Sequence, residues 1–135
     1  MDIERLVLHE DSKTKIMLEG RNVVWLMKPE TTGGKYSSAC LVEVAPGQRA
    51  LPAHSHPNGE ETIYIIQGEG KVLIGDEMSD IKAGSIMLFP QGVPHMLYCT
   101  GDMMLKGICF YAPEPNAIDY AFHEDVDFPE FKSKP

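Results

Sequence analysis

His54 and His56 are separated by a single residue. On an extended chain, alternate side chains point to the same face, so both imidazoles aim one way from Cα atoms about 6.6 Å apart. That spacing suits two nitrogens converging on one metal ion at about 2.0–2.2 Å. Pro57-Asn58-Gly59 reads as a turn that returns the chain to place Glu61 beside them, and His95 comes from a later extended segment. Three imidazoles and a carboxylate leave coordination positions open for water or substrate. Their mixture of nitrogen and oxygen suits one divalent transition metal per chain, drawn from Fe, Mn, Ni, Co, Cu and Zn. Each histidine alone is more simply a partly buried side chain; it is their joint placement that points to an ion. His9 and His123 stand apart from the group and are expected at the surface, and Glu60 is expected to be a solvated carboxylate.

Such a group needs a scaffold that brings distant segments together. Turn chemistry punctuates the chain every eight to twelve residues, as at Gly33-Gly34, Pro46-Gly47, Gly75-Asp76, Ala83-Gly84 and Gln91-Gly92. Between these turns lie short runs rich in Val, Ile, Leu, Tyr and Phe, clearest at residues 22–28, 38–45, 62–67, 71–75, 85–89, 95–99 and 103–111. Evenly spaced short strands predict an all-β sandwich or barrel, with helix limited to one turn near the C-terminus. The run 63–66 is apolar on both faces, which predicts burial on two sides, as a barrel packed against a partner chain would give. Ile63 and Ile65 share the parity of Glu61 and should face the interior, whereas Tyr64 should face away. From residue 112 prolines and acids accumulate, and this stretch is expected to lie across the barrel as a tail, with Tyr120, Phe122, Phe128 and Phe131 as anchors.

Composition excludes several functions. Lys and Arg number 12 against 20 Asp and Glu, a net charge of −8, which argues against a nucleic-acid partner because a phosphate backbone rewards clustered cations. The apolar runs fall far short of the roughly 18 residues a membrane helix needs. The N-terminus opens with charge rather than with the basic-then-apolar build of a signal peptide, so a cytoplasmic location is expected. Cys40, Cys99 and Cys109 form no CxxC pair and are an odd set, which fits reduced core thiols better than a disulfide framework.

The two histidine-bearing segments resemble the paired motifs of the cupin family. The first runs Gly47, His54, His56, Glu61, Gly68; the second runs Gly84, Pro90, Gly92, His95. The motifs and their joining strands cover about residues 38–111. The resemblance implies a double-stranded β-helix, or jelly-roll, with short N- and C-terminal extensions, so that 1–135 is one cupin domain with a tail at about 112–135. It also implies a metal bound by His54, His56, Glu61 and His95, with Glu61 rather than Glu60 chosen because it keeps the family's distance to Gly68. Cys99 stands where the family often has asparagine; its parity with His95 could bring it near the metal, although a small packing residue is the simpler role.

Family analogy favours a metal-dependent enzyme on a small organic substrate, of dioxygenase, isomerase or epimerase, or lyase type. The alternative is a non-catalytic module binding a sugar or another small molecule. A homodimer is expected, and Ile63, Ile65 and Met96 or Leu97 are expected to line the pocket, with no catalytic residue assignable from sequence.

Overall fold

The computed structural model describes residues 1–132; residues 133–135 of the expected tail lie outside the described residues. Eleven strands run β1 (Lys15–Leu18), β2 (Arg21–Met27), β3 (Ser38–Val44), β4 (Ala53–Ser55), β5 (Glu60–Gln67), β6 (Glu69–Ile74), β7 (Glu77–Lys82), β8 (Ile86–Phe89), β9 (His95–Cys99), β10 (Leu105–Ala112) and β11 (Ala121–His123). They form two antiparallel sheets, ordered β1-β2-β3-β10-β5-β8 and β11-β4-β9-β6-β7. Neighbours distant in sequence, such as β3 beside β10 and β4 beside β9, make this the expected jelly-roll barrel.

Alternation fixes which faces meet. Along β10, Leu105, Gly107, Cys109 and Tyr111 are buried, while Phe110 between them is exposed. Along β5 the buried set is Glu61, Ile63 and Ile65. These join Val23, Cys40, Val42, Phe89 and Leu97 in a core between the sheets. The expectation that residues 63–66 are buried on both sides is corrected within this chain: Tyr64 and Ile66 lie on the outer face and are exposed.

A second, smaller core lies on the outer face of the five-stranded sheet, where Ala53, Leu73 and Met96 pack against Phe128. The C-terminal segment therefore does lie across the barrel, but its four aromatics are not equivalent anchors. Phe128 is fully buried, Phe131 sits under the Arg49 guanidinium, Tyr120 reaches the histidine group, and Phe122 points outward. The Arg49 fork holds Asp127 through contacts of 2.8, 2.9 and 3.2 Å, a bidentate geometry that fixes orientation as well as charge.

Two four-residue helices were not expected. α1 (Ile3–Leu6) is capped by Asp2, and α2 (Pro29–Thr32) begins on proline and ends at Gly33, whose φ is 77°. The expected C-terminal turn is a short 3₁₀ helix at Pro129–Phe131. No helix among the described residues is long and apolar enough to cross a membrane.

Candidate metal centre

The four side chains singled out from spacing are brought together by both sheets. His54 lies in β4 and His56 directly follows it; His95 opens β9, and His54 and His95 are direct cross-strand partners. Glu61 comes from β5 in the facing sheet, so the Pro57-Asn58-Gly59 turn carries the chain from one sheet to the other. The turn before His95 is tied to the first motif: the Gly92 N–H donates to the His56 carbonyl at 3.0 Å, and its φ of 76° is one that glycine adopts without strain. One ligand atom from each of the four residues lies within 4.8 Å of the others, and all four side chains are buried.

Hydrogen bonding shows what this group lacks. The His56 Nδ1 faces the Asp119 carbonyl at 3.1 Å, and the His95 Nδ1 faces the Val93 carbonyl at 3.2 Å. A carbonyl only accepts, so each ring places its proton on Nδ1 and a neutral ring is left with a bare Nε2. Both Nε2 atoms then point at the same carboxylate oxygen, Glu61 Oε1, at 3.0 and 3.3 Å. The His95 Nε2 is buried with no hydrogen-bond partner. Lone pairs converging on an anionic oxygen repel unless a cation lies among them. The donor set and its burial fit a divalent ion.

The ionisation states agree with that reading. Burial, reinforced by the neighbouring His95 and Arg21, pushes His54 down to about 2, so its ring is neutral at any working pH. Burial pushes Glu61 upward, but a proton donated from the His56 or His95 ring outweighs this and holds it well below the usual carboxylate range, a positive charge that a bound cation would supply instead. Burial, followed by the Glu61 charge, pushes Tyr111 far upward, and burial pushes Tyr120 up to about 12. Both phenols are therefore neutral near pH 7.

The pocket beside these ligands is narrow, with about 30 Å³ of open space, room for very few atoms. Ile63 and Leu97 contribute to its wall as expected, Met96 borders it too although it also packs against Phe128, and Phe89 stacks on His95 with centroids 3.8 Å apart. Ile65 and Cys99 are not at the wall. The Cys99 thiol instead donates to the Met103 carbonyl at 3.2 Å, which makes it a packing residue. Sequence reasoning pictured an apolar interior and missed Arg21, Cys40, Cys109, Tyr111 and Tyr120, all of which line the pocket. Strand parity carried a usable signal for one of them: Arg21 alternates with the inward Val23 and Trp25, and an inward arginine is unusual. Of the remaining residues, His9 and Glu60 are exposed as expected. His123 is corrected: it is partly buried, with its Nε2 2.9 Å from the Ser55 hydroxyl.

Comparison with known proteins agrees with the architecture. Residues 40–111 match the family model of the cupin domain. An uncharacterised protein of Methanocaldococcus jannaschii, MJ1618, is 27% identical over 122 residues, which span 90% of this chain and 92% of that protein. Protein SchB of Streptomyces halstedii is 30% identical over 94 residues, 70% of this chain and 67% of its own. Among solved structures, a predicted oxalate decarboxylase of Thermotoga maritima superposes with a TM-score of 0.71 at 21% identity, covering 80% of this chain and 99% of that one. With its family motifs on the strands of a double-stranded β-helix, this chain belongs to the cupin family.

Proposed function

We propose that the protein is a metal-dependent enzyme acting on a small organic substrate, with one divalent transition metal ion per chain held by His54, His56, Glu61 and His95. The observation that carries this reading is the convergence of the His56 and His95 Nε2 atoms on one buried carboxylate oxygen, with the His95 Nε2 left without a hydrogen-bond partner, an arrangement that a bound cation would satisfy. A bound ion would supply Lewis acidity or an O₂ site at its open positions. The chain's own residues supply the rest. Asp119 and Val93 carbonyls fix the ring orientations, Phe89 holds the His95 plane, and Val23, Val42, Ile63 and Leu97 keep the site dry. The dioxygenase, isomerase or epimerase, and lyase classes all use such a site. Turnover separates an enzyme from a binding module. Iron-loaded and manganese-loaded protein, screened against catechols, diketones, thiols, sugars and small acids for O₂ uptake and product mass, should convert at least one class. Saturable binding without product in every metal form would instead assign a binding module.

A homodimer is part of the same proposal. The tail covers the outer face of the five-stranded sheet, whereas the outer face of the six-stranded sheet is bare at β5, β8 and β10. There Tyr64, Ile66, Ile86, Leu88 and Phe110 are exposed on three adjacent strands, with Tyr64 directly opposite Ile86. A contiguous apolar patch of this kind is the usual mark of an interface. Light scattering at micromolar concentration should give twice the 15.0 kDa of one chain, and the double substitution Ile86→Lys, Leu88→Lys should halve it. A wild-type mass near one chain would overturn the dimer.

A further inference from the structure

The pocket holds one group that neither the ion nor the fold explains. Arg21 opens β2 with its side chain turned inward, alongside Val23, toward the facing sheet and the histidines. Its Nη1 lies 3.3 Å from the His54 Nδ1, its Nε is buried with no hydrogen-bond partner, and its guanidinium lies over the Tyr120 ring at 5.9 Å. No carboxylate pairs with it among the described residues. The contrast with Arg49 is direct. That arginine does structural work, and its fork is filled bidentately by Asp127. A half-buried guanidinium without an anion is costly, and its planar donors match the two oxygens of a carboxylate.

Charge and hydrogen-bond logic then say what the pocket is built to accept. Among the described residues, Glu61 and Arg21 are the only charged side chains lining it, and they cancel, so a divalent ion leaves two uncompensated positive charges in a small, water-poor space. A guanidinium has no acceptor, so in its contact with His54 it donates and Nδ1 accepts. An ion on His54 ends that bond either way. If the ion takes Nδ1, the lone pair is consumed. If the ion takes Nε2, the ring proton moves to Nδ1, which then cannot accept. Loading the site therefore frees the Arg21 fork inside a pocket whose net charge is then positive.

Resting on the metal-site reading above, we propose that Arg21 is the anion-binding residue of this pocket and that the substrate is a small organic acid whose carboxylate lies against the guanidinium. The narrow space restricts it to a few heavy atoms, and the requirement for charge sets it apart from sugars, diketones and other neutral ligands. Sequence reasoning included small acids only as one class among several; Arg21 selects them.

The test uses manganese-loaded full-length protein and a pair of nearly isosteric probes, glycolate and the neutral glycolamide, with affinities from calorimetry and metal content from elemental analysis of the same samples. Wild-type protein should bind glycolate about ten-fold or more tighter than glycolamide, since a charge-assisted bidentate pair is worth at least that ratio. Arg21→Gln should abolish the preference, weakening glycolate far more than glycolamide when compared at equal metal loading, and Arg21→Lys should keep part of it. The wild-type comparison stands even if a variant folds poorly. Fully loaded wild-type protein with no preference for glycolate overturns this inference alone, as does an Arg21→Gln protein that keeps the wild-type ratio. Wild-type protein that takes up no ion overturns the metal-site reading and this inference with it.

Discussion

Replacing either His56 or His95 with alanine should strip the protein of its metal. Wild-type protein purified in the presence of manganese or iron should carry close to one ion per chain by elemental analysis, and either substitution should remove most of it. The physical reason is geometric. Both rings are held by backbone carbonyls so that their bare Nε2 atoms meet at Glu61 Oε1, and neither has a substitute nearby among the described residues. Loss of partners that merely orient a ligand already costs about 10–100-fold in metal affinity, so loss of the ligand itself should cost more. His54 reinforces the prediction, because a ring whose burial pushes it down to about 2 offers its lone pair without first having to lose a proton. His123→Ala is the matched control. That ring is partly buried and hydrogen-bonded to Ser55, yet it lies outside the ligand group, so metal content should be unchanged. A stoichiometric ion that survives both His56→Ala and His95→Ala would refute the assignment.

The four candidate ligands were legible in the sequence because each sits at a fixed distance from a turn that only a few residue types can make. Gly92 shows how: its positive φ closes the turn before His95, and its N–H reaches back to His56. Local chemistry and long-range contact coincide there, so a short motif carries tertiary information. The strands β5 and β10 were legible for a related reason, since one-sided burial writes a period of two into the sequence, whereas β3 was legible as a short run buried on both faces. β1 and β7 were not, because β1 is wholly exposed and only Ile81 of β7 is buried, so no alternation marks them. β11 is three residues long and exists through its pairing with β4. The helices α1 and α2 were missed despite readable caps, because four residues leave no hydrophobic period to notice.

The pocket was less legible than the ligands, for a physical reason. Its polar residues come from elements whose relative position is set only by packing: Arg21 from β2, Tyr111 from β10 and Tyr120 from the tail. No fixed spacing connects them to the histidines. The tail was expected to lie across the barrel, but no spacing in it marked that its Asp119 carbonyl would orient His56 or that its Tyr120 ring would pack against His54 with centroids 4.8 Å apart. The tail thus does more than cover the barrel, because it forms one side of the site.

Phe128→Ala should accordingly be among the most damaging substitutions outside the ligand group. The ring is fully buried between Ala53, Leu73 and Met96, and it packs against Tyr98 with centroids 5.5 Å apart. Truncating a phenylalanine in such a setting costs about 3–5 kcal/mol, the sum of lost apolar transfer and the cavity left behind. Polar contacts nearby cannot compensate, because the partly buried Arg49–Asp127 pair that precedes the ring fixes the direction of the segment but fills none of that cavity. In a chain of 135 residues a loss of that size lowers the thermal midpoint by about 10 °C or more, and it should appear in urea as a lower midpoint with little change in slope. Phe122→Ala provides the comparison. That ring belongs to the same tail and to β11, but it is 63% exposed, so its removal should change stability by no more than about 0.5 kcal/mol. Equal and small effects from the two substitutions would mean that the tail is not part of the folded core. A large effect at Phe128 alone would show that the acidic C-terminal segment is held by one buried ring, and that the wall it provides beside His54 and His56 depends on that anchor.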